Sequence, residues 1–161
     1  MFRKMRRIGQ QIELEECAEI LRRAKTGVLA LHGDDGYPYA VPLNFVYEEG
    51  GEGLGTIGFH CAKTGHKIDA IRQMDKASFC VYDSGFRREG EWALNIRSVI
   101  VFGRIEMVED TARIYEIARR LSRKFTDDEN YIEQEIARSG PGTLMFALNI
   151  EHMTGKLVNE S

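Results

Sequence analysis

The segment Phe59-His60-Cys61-Ala62-Lys63-Thr64-Gly65-His66-Lys67 reads as a strand that ends in a turn and restarts as a helix. Thr56 to His60 is short, β-branched and aromatic, while Ile68, Ile71 and Met74 repeat at helical spacing from Lys67 onward. The junction therefore falls near Ala62 to Gly65. A helix N-terminus already carries partial positive charge and favours Asp or Glu in its first turn, whereas this one offers Lys63, His66 and Lys67. Free backbone N–H groups, a flexible Gly65 and two ammonium groups make a seat for an anion such as phosphate. The competing reading of the same residues is a solvated basic turn.

Upstream of the junction, Leu14, Cys17, Ala18, Leu21 and Ala24 form a helical stripe over Ile12 to Lys25, with acids early and Arg22, Arg23 and Lys25 late, and Gly27 is expected to stop it. Val28 to Leu31 then reads as a strand, Asp34-Asp35-Gly36 as a tight turn and Tyr37 to Tyr47 as the return strand of a hairpin. Pro38 and Pro42 make that return strand a poor donor, which predicts an edge, a bulge or a ligand-facing rim. A charged, glycine-rich loop over Glu48 to Gly55 follows. Gly53-Leu54-Gly55-Thr56-Ile57-Gly58 matches GxGxxG literally, but a strand and not a helix comes next, so the dinucleotide fingerprint is rejected.

Downstream, Lys76 to Asp83 alternates with Phe79 and Val81 on one face, and Asn95 to Val108 is a long strand with Arg104 and Glu106 toward solvent. Glu109 and Asp110 open a helix through Arg120, Asp127 to Ala137 is a further helical segment, and Thr143 to Ile150 and His152 to Val158 close the chain as two strands. Strands joined mostly by hairpins, with helices inserted between some of them, predict an antiparallel barrel or curved sheet in a single α+β domain spanning residues 1–161. Regular β-helix-β alternation, which a parallel Rossmann sheet requires, is missing.

Composition narrows the function. The 161 residues are 43% hydrophobic and 29% charged, ordinary for a soluble domain, and the net charge of −3 argues against nucleic acid as a partner. The basic sets Arg3, Lys4, Arg6, Arg7 and Arg119, Arg120, Arg123, Lys124 read as solvated faces. Cys17, Cys61 and Cys80 are widely spaced, without a CxxC pair, so neither disulfides nor a zinc site is expected. With no signal peptide and no run of membrane-spanning length, the expected location is the cytoplasm.

The blocks Gly27-Val28-Leu29-Ala30-Leu31, Tyr37-Pro38-Tyr39-Ala40-Val41-Pro42-Leu43, Phe59 to Lys67, Lys76-Ala77-Ser78-Phe79-Cys80-Val81, Ser98-Val99-Ile100-Val101-Phe102-Gly103 and Thr154-Gly155-Lys156 occur in an order that resembles the pyridoxamine 5'-phosphate oxidase-like FMN-binding split barrels. Within them the chain looks most like the nitroimidazole resistance protein branch. The resemblance implies a mainly antiparallel split β-barrel with peripheral helices, assembled as a homodimer with FMN in grooves between subunits. It carries phosphate and ribityl binding onto His60, Cys61, Ala62, Lys63, His66 and Lys67, and flavin-ring contacts onto Val41, Pro42, Leu43 and Asn44. Ser98 is a further transfer, from a strand that commonly contacts flavin. Pyridoxamine phosphate oxidases usually carry arginine where His66 stands, and a basic, aromatic C-terminal segment where this chain reads Asn159-Glu160-Ser161, so vitamin B6 is not the expected substrate.

His60 is the candidate catalytic residue, since a strand-end histidine beside an anion seat can hydrogen-bond a substrate or donate a proton. Its simpler roles are structural support or flavin contact alone. Cys61 should face away from His60, as neighbours on a strand do, which makes a joint nucleophile improbable. Trp92, the sole tryptophan, is expected in core or interface packing. The resulting expectation is reduction of a small electrophilic or nitroaromatic compound by reduced FMN. The alternatives are a flavin carrier or redox-responsive protein without turnover, and an interaction module with no flavin.

Overall fold

A computed structural model describes residues 1–50 and 53–159; Gly51 and Glu52 of the glycine-rich loop, and the terminal Glu160 and Ser161, lie outside the described residues. In chain order the elements are β1 (Gln11–Ile12), α1 (Leu14–Arg23), β2 (Thr26–His32), β3 (Pro38–Asn44), β4 (Val46–Glu48), β5 (Thr56–Ala62), α2 (His66–Gln73), β6 (Lys76–Tyr82), β7 (Asn95–Met107), α3 (Thr111–Arg123), α4 (Glu129–Ser139) and β8 (Thr143–Asn159). The strands form one antiparallel sheet in the order β3-β2-β6-β7-β8-β5-β4, with β1 added against β8. Strands β3 and β4 stand at opposite ends of that order yet are separated in the chain by Phe45 alone. The sheet must therefore curl until its ends meet, and the result is the α+β split barrel that the sequence predicts.

Phe45 seals that seam from inside. It is fully buried, its N–H donates to the Lys25 carbonyl at 3.3 Å, and its ring meets Phe79 edge-on at 4.9 Å. Phe79 contacts Phe59, and Phe59 stacks on Phe146, so aromatic contacts cross the barrel from the seam to β8. Alternation accounts for the rest of the core: Leu29 and Leu31, Ile57 and Phe59, Phe79 and Val81, and Val99 and Val101 point inward from their strands. Helix α1 packs Cys17 and Leu21 into the same cluster. At the end of α3, the Lys124 ammonium caps α1 by donating to the Ala24 carbonyl at 2.6 Å, and lies 4.2 Å from the Phe45 ring centroid. Burial, reinforced by the nearby Arg120 charge, lowers its pKa to about 8.

Several expectations need correction. The segment Tyr37 to Tyr47 is two strands with different partners, β3 on β2 and β4 on β5, because Phe45 turns inward between them. Helix α1 is shorter than Ile12 to Lys25: Ile12 pairs with β8 in β1, Ala24 caps it, and Gly27 lies within β2. Thr143 to Ile150 and His152 to Val158 are a single strand, interrupted by a bulge at Glu151 where the pairing with β7 shifts register. The cluster Arg119, Arg120, Arg123 and Lys124 is solvated at Arg119 and Arg123, but its arginines are paired and Lys124 is drawn inward. Arg119 pairs with Glu133 at 2.9 Å, Arg120 with Glu48 at 3.1 Å and Arg123 with Glu129 at 2.7 Å, tying α3 to α4 and to β4. Trp92 is 76% exposed and outside the protomer core.

Beside the bulge, Gly103 has no room for a side chain. A Cβ there would lie 2.0 Å from the Asn149 carbonyl oxygen, and the obstacle is backbone that cannot swing aside. Gly103→Ala is expected to cost about 1–3 kcal/mol through this overpacking, read as a lower denaturant midpoint at unchanged slope. A midpoint within error of the wild type would contradict the close approach of β7 and β8.

Candidate functional site at the junction of β5 and α2

The predicted junction is present. Strand β5 ends at Ala62, Gly65 caps α2 in a left-handed conformation (φ 122°) with no side-chain cap, and the helix begins at His66. Its first N–H groups to be satisfied are those of Ile68 and Asp69, which donate to the Gly65 carbonyl at 2.8 and 3.2 Å. Those of His66 and Lys67 have no partner among the described residues, leaving the orphan donors of a helix start facing outward. The acid that a first turn favours arrives only at Asp69. Gly65 faces open space, since a Cβ there would meet nothing within 4 Å.

The basic side chains divide into two kinds. His66 is drawn toward the hairpin: its ring stacks on Tyr39 with centroids 4.1 Å apart, and its Nε2 lies 3.5 Å from the Asp34 carboxylate. Lys63 and Lys67, in contrast, have no carboxylate within 4.0 Å among the described residues. Lys67 is half-buried, and its charge bears on both His60 and Cys61. Burial lowers the His60 pKa below the ordinary imidazole value and Lys67 lowers it further, so the ring is neutral at neutral pH although it keeps solvent contact. Cys61 points the other way, into the core, where burial raises its thiol pKa against the opposing effect of Lys67. The separation of His60 from Cys61 is the one that strand alternation predicts.

Strand β3 runs beside this junction, joined to it by the Tyr39–His66 stack. Its prolines are placed without loss. The Phe45 bond to Lys25 and the Gly33 N–H bond to the Tyr37 carbonyl put the hydrogen-bonded pairs of β2 and β3 at odd-numbered β3 positions. Pro38 and Pro42 consequently occupy positions whose nitrogen faces away from β2, and the Ala40 and Asn44 N–H groups face the same open edge. Val41 and Leu43 are half-buried against the core, while Pro42 and Asn44 are exposed.

The structure thus brings together Val41, Pro42, Leu43 and Asn44 on β3 with His60, Cys61, Ala62, Lys63, His66 and Lys67 around the junction. Ser98 stands apart. It lies on the outer face of β7 opposite Lys156, near the end of β8, whereas His60 is opposite Met145 near its beginning. Two contributors escaped the sequence reading, Asp34 and Tyr39, because only the register of the hairpin carries them to His66. Also unforeseen is a cleft of about 510 Å³ between the outer face of β5 and β8 and the helices α3 and α4, with His60 in its wall. The helical spacing of Ile114, Ile117, Ala118 and Leu121 was its one visible signal.

The donor types suit a phosphate-bearing flavin: two ammonium groups without a carboxylate partner among the described residues, two orphan N–H groups and an open glycine turn lie within five residues of one another, beside a strand edge with free polar groups. No cluster of metal-binding side chains occurs among the described residues, and no helix is long and apolar enough to cross a membrane.

The family profile described as pyridoxamine 5'-phosphate oxidase matches residues 13–157. Among curated proteins, none matches this sequence. Among solved structures, the chain is similar to a candidate 5-nitroimidazole antibiotic resistance protein from Bacteroides thetaiotaomicron, with a TM-score of 0.74 and 18% identity over 92% of this chain and 87% of that one. It is also similar to an FAD-binding protein from Mesorhizobium loti (TM-score 0.64, 23% identity, 92% and 97% covered) and to one from Mycobacterium smegmatis (TM-score 0.66, 19% identity, 94% and 99% covered). At these identities the likeness is one of fold.

Proposed function

Since the chain belongs to the pyridoxamine 5'-phosphate oxidase family of split barrels, we propose that it is an FMN-dependent oxidoreductase that reduces a small electrophilic or nitroaromatic compound, of the 5-nitroimidazole kind. The observation that carries this reading is the pairing of orphan helix N–H groups with the uncompensated Lys63 and Lys67 at the β5–α2 junction. Lys63, Lys67 and the α2 N-terminus hold the phosphate, with His66 fixed at its flank by Tyr39 and Asp34. The exposed edge of β3, from Val41 to Asn44, offers its outward N–H and carbonyl groups to the ring system.

Bound flavin supplies the electron or hydride transfer, and the protein supplies orientation and the surrounding field. His60, neutral and three residues before Lys63, is placed to give a hydrogen bond to substrate; burial and then the Lys67 charge disfavour a proton held permanently on its ring. Ser98 joins this site only from a second copy. Its face of the sheet carries the exposed Ile100 and Phe102, an apolar surface that a homodimer would cover.

Freshly purified protein is expected to show a flavin absorption band in the visible, or to melt at a higher temperature when FMN is added, because a ligand of the native state stabilises it by mass action. FAD is the comparison ligand. A colourless protein whose melting is indifferent to both flavins would refute the proposal. Flavin binding without oxidation of the reduced form by nitro compounds would leave a carrier or redox-responsive protein in its place.

A further inference from the structure

We infer that the cleft between α3, α4 and the outer face of β5 and β8 binds a small, uncharged, largely apolar molecule that carries hydrogen-bonding groups; its role as the pocket of the reducible substrate rests on the flavin reading above. The cleft opens to solvent and offers about 510 Å³. The volume lies within the ordinary range for small-molecule sites, which are mostly apolar with a few placed polar groups.

The wall has that composition. Ile114, Ala118 and Leu121 of α3, Ile136 of α4 and Met145 of β8 give an apolar surface. The Arg119–Glu133 and Arg123–Glu129 pairs link the two helices that form it.

The charges decide what kind of molecule enters. Glu135 is the carboxylate in the lining, and it is neutralised by Arg138 at 2.7 Å. The Thr143 hydroxyl donates its proton to the Ser139 carbonyl at 2.8 Å. His60 is neutral, held so by burial and by Lys67. Among the described residues no cationic side chain lines the cleft and its one carboxylate is paired, which disfavours an ionic ligand, while His60, Thr111, Tyr115, Ser122 and Ser139 can take the polar groups of a neutral one. His60 also connects the cleft to the junction, because the next strand positions lead directly to Lys63.

The test uses the full chain and the neutral fluorescent probe N-phenyl-1-naphthylamine, with the anionic 8-anilinonaphthalene-1-sulfonate as comparison. Wild type is expected to bind the neutral probe in preference to the anionic one. Ala118→Trp, which fills the cleft from α3, should weaken neutral-probe binding about tenfold or more while FMN affinity stays unchanged. Ile136→Trp fills it from α4 and provides the same reading should the first variant fail to fold. Competition on the wild type needs no variant: added FMN should leave the probe in place. Displacement of the probe by FMN, or unchanged probe affinity in a folded Trp variant, would overturn the inference. Protein that binds the probe but no flavin keeps the cleft and removes the flavin reading. Protein that binds FMN but no neutral probe does the reverse.

Discussion

Phe45→Ala is expected to lower the unfolding free energy by about 3–5 kcal/mol, the range for removing a fully buried phenylalanine. The effect should lie at the upper end because the residue does more than fill space. It is the single residue between the two ends of the sheet order, and its ring starts the aromatic contacts with Phe79, Phe59 and Phe146. Truncation would also take the ring from beneath the Lys124 ammonium, 4.2 Å away, leaving a half-buried charge with two carbonyls alone. Denaturant unfolding measures this directly, with Tyr37→Ala as a control that is 75% exposed and expected to change stability by less than about 0.5 kcal/mol. Equal losses in the two variants would mean that the barrel is not closed through Phe45.

Lys67→Ala should weaken FMN binding by about 10- to 100-fold, the equivalent of one charge-assisted hydrogen bond at roughly 1.5–3 kcal/mol. Lys67 is half-buried beside His60 and Cys61, where a charge is screened less than at the open surface. Lys4→Ala, on the exposed N-terminal arm, should leave FMN affinity as it is. Titration of flavin fluorescence against each variant gives the comparison. Matching losses for Lys4 and Lys67 would reduce the seat to general electrostatic attraction, and no loss in either would remove it.

Much of this was legible before any coordinates. The strand-to-helix junction is read from local signals alone, a β-branched run followed by helical spacing, and those signals survive folding because the turn at Gly65 is local. The inward set Phe79, Val81, Val99 and Val101 follows from alternation for the same reason. What escaped depends on pairings distant in sequence. Nothing in Asn44-Phe45-Val46 marks a change of partner strand, since β3 and β4 are both extended and differ only in whom they pair with. The β8 bulge at Glu151 looked like a strand end, because an inserted residue breaks alternation as a turn does. The arginines of α3 read as solvated charge, which Arg119 and Arg123 are, but their pairing with Glu48, Glu129 and Glu133 lies beyond reach of any local pattern. Asp34 and Tyr39 belong to the site only through the hairpin register that carries them to His66. Ser98 came from family resemblance, and one protomer does not bring it to His60.

The most direct test of the phosphate seat is calorimetric titration of the wild-type protein with FMN and with riboflavin, which share the ring system and differ in the phosphate. If the seat at Lys63, Lys67 and the α2 N-terminus holds that phosphate, FMN binds tighter by about tenfold or more, and the gap narrows as salt is raised. Equal affinities for the two flavins would contradict a phosphate held at the β5–α2 junction.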